Sequence, residues 1–381
     1  MNSETALARA REIASNVIAP QAAANDREGR FSLDAVRALG ESGILGMLLP
    51  ATVGGSQLGP GDFAQVTAIL AEADPSVAMV FVMHVLAAGA IAAAPDGAHL
   101  RAVLEEIAHG RHLSTLAFSE VGSRSHFWAP VSRAERDGTG VRISARKSWV
   151  TSAGHAQSYV VSTQSPNAVG PTESTLYLVL ADAKGLSVAG AWDGMGMRAN
   201  AAAPMTLDRC EVAPGMQLTR DGGGFAAMQE NVLPLFNLGS AGVAFGICRA
   251  VVAATTDHLK HARFEHLGAS LGESLPNLRA QLATMQIQTD GLAARIDDVV
   301  RHLTHPDDLT VLRVLEVKAA AGEASIEVTD LAMRVCGGAA FRREIGVERV
   351  FRDARAAVVM APTTDQLNEF IGKAVCGLPL F

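Results

Sequence analysis

A chain of 381 residues, 49% hydrophobic and 19% charged, carries enough apolar side chain to fill two or three packed sub-domains and is too apolar for an extended disordered chain. Its formal charge of −7 and pI near 5.9, with Arg and Lys scattered along the chain, exclude the clustered positive surface that nucleic-acid phosphates require. Cys210, Cys248, Cys336 and Cys376 stand far apart without C-x-x-C or Cys/His ligand spacing, so neither a disulfide framework nor a zinc site is expected.

The opening stretch MNSETALARAREIASNVIAP mixes acidic residues into an Ala-rich helical pattern and lacks the basic and apolar regions of a secretory signal. With the unpaired cysteines, this leads us to expect a reducing cytoplasm. Residues 1–112 read as helices punctuated by Pro20, Pro50 and the Gly54-Gly55 pair. The apolar run from Val77 to Ala94 approaches membrane-span length, but it is Ala-rich and contains His84; a buried core helix is expected there.

From residue 113 to 220 the texture changes to short apolar segments such as YVVST and TLYLVLA between Gly, Asp, Asn and Pro, which predicts a small β domain. After Gly222-Gly223-Gly224, residues 221–381 return to helical spacing, clearest in SLPNLRAQLATMQIQTDGLAARIDDVVRHL. The expected class is α+β: an N-terminal helical domain, a middle β-barrel or sandwich, and a C-terminal four-helix-like bundle. No repeat of fixed period or low-complexity linker separates the three.

Two segments of the β region carry a resemblance. TLAFSEVGSRSHFWAP followed by KSWVTSAGHAQSYVVST resembles the two flavin-facing stretches of the acyl-CoA dehydrogenase family, A-x-T-E-P-x-A-G-S-D and K-x-W-I-T-N-A. Further on, GMGMRANAAAPMTLDRCEV is similar to the family's G-M-R segment, and VCGGAAFRREIGVERVFRDAR to its L-G-G to R-D-A segment. The four occur in the family's order across nearly the whole chain.

The resemblance implies FAD as cofactor, with FMN an option if the chemistry is of the monooxygenase kind. A flavin ring needs donors at its pyrimidine edge and N5 and a wall that excludes solvent. Phe118 through its backbone N–H, Ser119, Trp149 and Thr151 stand at the matching positions, Ser119 keeping the hydroxyl of the family's Thr. For the adenosine end, held partly across a subunit contact in the family, the equivalents are Arg263 in ARFEHLG and the Gly337-Gly338 turn. There Leu267-Gly268 replaces Phe-Gly and lies one residue farther from the arginine. Thr363 and Asp365 are further candidates near the cofactor, and Ser125 is the candidate for meeting a substrate head group.

The same resemblance exposes a gap. Removing the α-proton of an acyl thioester needs a carboxylate whose pKa is raised by burial. The family's E-G-T triplet after R-D-A falls here on Ala361-Pro362-Thr363. The alternative location, at the start of the preceding bundle helix, offers Leu235, Phe236 and Asn237. Glu230 lies about two helical turns earlier, roughly 9 Å along the axis, and reads as an exposed helix-start residue.

Pro362 in place of Gly is similar to the flavin monooxygenase branch of the superfamily, whose members need no α-proton base, and the SHFWAP loop carries aromatic bulk unlike the family's usual thioester loop. In that reading His84 is a candidate donor near the flavin; its other reading is a satisfied core histidine. Three functions are weighed: a flavin monooxygenase or oxidase, an acyl-CoA or acyl-carrier-protein thioester dehydrogenase with a relocated base, and a non-catalytic flavin scaffold. Expected partners are a small-molecule or acyl-thioester substrate, an electron-transfer flavoprotein or a flavin reductase, and further copies of the chain as a tetramer. Neither nucleic acid nor membrane is expected.

Overall fold

The computed structural model describes residues 1–380 apart from Asp96, Ser125 and Thr139. Asn2 opens α1 (Ser3–Ile13) by accepting the Thr5 N–H at 2.9 Å. A π turn at Ala14–Ile18 carries the chain into α2 (Ala19–Glu28), which Gly29 closes at φ +63. α3 (Leu33–Glu41), α4 (Pro60–Ala73), α5 (Pro75–Ala92) and α6 (Ala98–Ala108) complete the first helical region. Pro60 and Pro75 occupy first-turn positions, where the missing N–H costs nothing, and Asp74 caps α5 by accepting the Ser76 N–H. As the sequence predicts, α5 is a core helix, with 83% of its span buried inside the fold.

Two sheets follow. β1 (Ser114–Ala117) pairs in parallel with β4 (Ser158–Gln164), which pairs antiparallel with β5 (Ser174–Leu180). The second sheet is antiparallel, ordered β2 (Ala134–Asp137), β3 (Gly140–Val150), β7 (Ala203–Val212), β6 (Leu186–Val188). Then come α7 (Gly224–Ala227), a π turn at Met228–Val232, α8 (Leu233–His261), the hairpin β8 (Arg263–Phe264) and β9 (Ala269–Ser270), α9 (Leu271–Ser274), α10 (Pro276–Thr304) and α11 (Thr310–Cys336). The short helices α12 (Val347–Ala354) and α13 (Ala356–Val359) and the terminal α14 (Thr364–Val375) pack on α11. The expected helical, β and helical order is the observed one.

α8 packs against α10 and α11 on one side and α4 and α5 on the other, so the two helical regions share a core. Gly246 permits the closest approach: a Cβ there would lie 2.4 Å from the Ala68 carbonyl oxygen. The β domain is fastened to both by charge. Arg352 of α12 forms a two-pronged pair with Asp26 of α2, at 3.0 and 2.6 Å, and donates to the Met195 carbonyl at 2.9 Å. Beside it, the Asp353 carboxylate accepts the Met197 N–H at 2.6 Å, and Arg349 lies 3.8 Å from Asp74 and 4.0 Å from Asp353.

Within the β domain, the two-residue period of β3 turns Val141, Ile143, Ala145 and Lys147 to the buried side. A lysine on that face must be neutralised or paired. Lys147 reaches Glu120 at 2.6 Å and the Ser162 carbonyl at 2.5 Å, while Glu120 also accepts from the Val131 N–H and Ser132 N–H at 2.8 Å and from the Ser132 hydroxyl. Burial pushes the Glu120 carboxyl up, but Lys147 and the Ser132 donors outweigh it and hold the group below its usual range. For Lys147, burial outweighs the attraction of Glu120 and leaves the ammonium below its usual range.

Removing one partner of this pair strands a buried charge. Lys147→Met should cost about 3–5 kcal/mol of stability by denaturant titration, with much of that recovered in the double variant Glu120→Leu/Lys147→Met. Equal losses in the single and double variants would show that the pair is not the interaction that matters.

A second prediction concerns Asp353. Burial lifts its carboxyl to about 7, against the opposing pull of Arg349 and with the help of Asp74. A raised carboxyl lends stability that is fully present below its unfolded value of about 4 and is lost as pH rises through about 7. Asp353→Asn keeps an oxygen for the Met197 N–H but cannot ionise. Thermal melts should therefore show a smaller fall with rising pH across that window than in the wild type; parallel curves would refute the assignment.

Candidate active site

The sheets and α5, α8, α12 and α13 enclose a cavity of about 750 Å³. Each element contributes for a local reason. The β3–β7 register shifts between Lys147 and Val150, and this bulge swings Ser148 and Trp149 out of the strand's alternation. Trp149, at φ +58, therefore lies 62% exposed along the cavity, edge-on to Trp192 at 5.5 Å. One strand away, Phe118 and Ser119 leave β1 at the point that Lys147 and Glu120 pin, and both line the cavity.

Thr151 completes that wall, held where Ser152 N–H donates to the Asn200 carbonyl at 2.9 Å. Among the described residues, neither the Ser119 nor the Thr151 hydroxyl has a hydrogen-bond partner. The two donors and a large exposed indole on one wall fit the pyrimidine edge and face of a flavin ring. The remaining lining is mostly apolar: Met79 and Met83 from α5, Phe236 from α8, Val359 from α13, and Met360 and Ala361 after it.

The segment carrying Ala361 is held from behind. Lys318 of α11, fully buried, donates to the Pro362 carbonyl at 2.7 Å and the Met360 carbonyl at 3.1 Å, with its ammonium 5.8 Å from the Phe236 ring centre. Burial lowers its pKa to about 7. The only carboxylate among the described lining residues is Glu120, whose oxygens are taken up by Lys147, Val131 and Ser132. The cavity thus offers donors and apolar walls but no free carboxylate.

The other sequence-predicted residues divide. Thr363 lines the cavity, its hydroxyl capping α14 by accepting the Gln366 N–H. Asp365 is exposed in the first turn of α14, off the cavity, and Glu230 is exposed in the π turn before α8. Arg263 is exposed on β8 and donates to the Gly268 carbonyl at 3.0 Å, and Gly337 and Gly338 are exposed in the turn after α11. None of these last three borders the cavity within one chain. Ser125 lies outside the described residues.

His84 departs most from expectation. Met79 and Met83, one helical turn apart, face the cavity, but His84 is one position further round α5 and points at β1. It is fully buried with Nδ1 3.0 Å from the Ser114 N–H, and burial lowers its pKa to about 4. A neutral imidazole anchoring a strand through Nδ1 is a core histidine, not a donor at the cavity, and its Nε2 has no hydrogen-bond partner among the described residues. Sequence reasoning also missed Arg124, Phe127, Trp192, Met195 and Arg352 as lining residues. Met79 and Met83 were missed as well, although their i, i+4 spacing was legible.

The chain matches the models for the acyl-CoA dehydrogenase N-terminal domain over residues 2–111, middle domain over 115–210 and C-terminal domain over 222–376. It is 27% identical over 376 residues to a 3-sulfinopropanoyl-CoA desulfinase of Paraburkholderia xenovorans, covering 97% of this chain and 95% of that one. It is 29% identical over 365 residues to the amino sugar nitrososynthase RubN8 of Streptomyces rubradiris, covering 91% and 84%. Among solved structures, PigA with FAD and proline superposes with a TM-score of 0.90 at 15% identity, covering 98% of this chain and 97% of that one. With three domain models matched in order across nearly its full length, the chain belongs to the acyl-CoA dehydrogenase family of flavin-dependent oxidoreductases.

Proposed function

We propose that the cavity binds FAD and that the protein oxidises a small substrate without removing a proton by a cavity carboxylate, as a flavin monooxygenase or oxidase does. The observation that carries this reading is the neutral wall: Ala361 stands where the family's base is expected, and the one lining carboxylate is consumed by its own ion pair. FAD supplies two-electron redox chemistry at its ring. The Phe118 N–H and the Ser119 and Thr151 hydroxyls are assigned to its polar edge, and Trp149 to the wall that excludes water. Thr363 borders the same space. Lys318 fixes the Ala361 segment, so that part of the wall cannot easily relax.

Arg263, Gly337 and Gly338 fit the adenosine end of the cofactor only if a second copy brings them to the cavity, which supports a homo-oligomer, a tetramer by family resemblance. Electrons would then come from a flavin reductase. The relative named as a nitrososynthase is in keeping with oxidation of a substrate other than a thioester. An acyl-thioester dehydrogenase, with an electron-transfer flavoprotein as acceptor, is the second reading. The apolar stretch of Met79, Met83 and Phe236, suited to an acyl chain, favours it, as does the relative named for a CoA thioester.

The two readings separate on anaerobic mixing of the FAD-loaded protein with butyryl-CoA. The wild type should keep its oxidised flavin spectrum, and Ala361→Glu, which adds a carboxylate to the wall, should gain slow bleaching. Rapid bleaching of the wild type would overturn the proposal.

A further inference from the structure

Gln57, Arg124, Trp149, Ser152, Met197, Ala201 and Arg209 take a positive φ without being glycine. Five of the seven cluster at the site: Arg124, Trp149 and Met197 line the cavity, and Ser152 and Ala201 adjoin the lining residues Thr151, Asn200 and Ala202. Left-handed backbone disfavours any side chain, so it persists where the surroundings enforce it. For four of the five the enforcement is visible. Trp149 sits on the β3 bulge, Ser152 donates to Asn200, Met197 donates to the Asp353 carboxylate, and Ala201 accepts from Ala153.

Arg124, at φ +48, has no such bond among the described residues. In the A-x-T-E-P-x-A-G-S-D pattern its position is the glycine, the residue that adopts this conformation freely. An exposed arginine thus occupies a strained place that glycine would relieve. Its charge is also unanswered. Of the cations lining the cavity, Arg352 is bound by Asp26 and Glu348, whereas Arg124 has no carboxylate partner among the described residues. Glu120, four residues before it, is committed to Lys147. A guanidinium that lines a largely apolar cavity presents a planar fork of donors with no acceptor among the described residues.

We propose that Arg124 is an anion-recognition residue: its guanidinium receives an oxyanion group on a molecule bound in the cavity. The source is the diphosphate of FAD or a carboxylate or phosphate on the substrate. The proposal rests on the reading of the cavity as the flavin site.

The test uses Arg124→Gly, which removes the charge and the strain, and Arg124→Gln, which removes the charge alone. Apoprotein is titrated with FAD and with riboflavin, which has the ring but no diphosphate, following tryptophan fluorescence. FAD-loaded protein is then titrated with inorganic phosphate and with succinate, following the flavin spectrum. Arg124→Gly should melt no lower than the wild type. A roughly tenfold loss of FAD affinity in both variants, with riboflavin unchanged, assigns the anion to the cofactor. Unchanged FAD affinity, with a wild-type spectral response to phosphate or succinate that both variants lose, assigns it to the substrate. The proposal is overturned if both variants match the wild type in every titration, or if Arg124→Gly melts lower and Arg124→Gln binds normally. Wild-type protein that takes up neither FAD nor riboflavin would refute the flavin reading instead.

Discussion

A lysine and a glutamate held out of water at 2.6 Å set the geometry on which the cavity depends. Two charges in an apolar interior are tolerated only when each finds its partner and its remaining hydrogen bonds. Glu120 and Lys147 meet that condition by drawing on β3, β4, the end of β1 and the segment at 131–132. The residues that follow Lys147 and precede Glu120 are therefore displayed from fixed backbone. Ser119 and Trp149 are each within two residues of the pair. The same arrangement removes Glu120 from the chemistry, since a carboxylate surrounded by donors is held ionised and occupied.

A second clasp joins what the ion pair cannot reach. Asp26, Asp74, Arg349, Arg352 and Asp353 come from α2, the cap of α5 and α12, and bind the backbone at Met195 and Met197. The cavity wall formed by that loop is thus tied to both helical regions at once. Lys318 does the same for the Ala361 segment with two backbone carbonyls and no acid. Three buried or half-buried charge systems surround a cavity whose described lining is largely apolar and offers no free carboxylate. Such a space is suited to a planar conjugated ring more than to proton abstraction by a carboxylate.

The order of helices, strands and helices was legible because each region keeps one hydrophobic period for long stretches. Phe118, Ser119, Trp149 and Thr151, taken from the two flavin-facing segments, and Thr363, taken from the triplet after R-D-A, all line one cavity. What escaped was side-chain direction. On α5, 100° of helical rotation separates Met83, which faces the cavity, from His84, which serves β1, and periodicity cannot say which neighbour of a uniformly buried helix is which. Trp149 was expected as part of a wall, but the bulge that exposes it is a register shift between two strands distant in sequence. Arg263, Gly337 and Gly338, which the resemblance puts at a subunit contact, lie off the cavity within one chain.

The central claim is that this member of the family works without a base in its cavity. The most direct measurement is deuterium incorporation at the α-carbon of butyryl-CoA incubated with the FAD-loaded protein in D2O, read by mass spectrometry, because exchange reports the base whether or not the flavin is reduced. The account predicts incorporation no faster than in protein-free buffer. Saturable, protein-dependent incorporation at the α-carbon would contradict it and show that a group outside the neutral wall takes the proton.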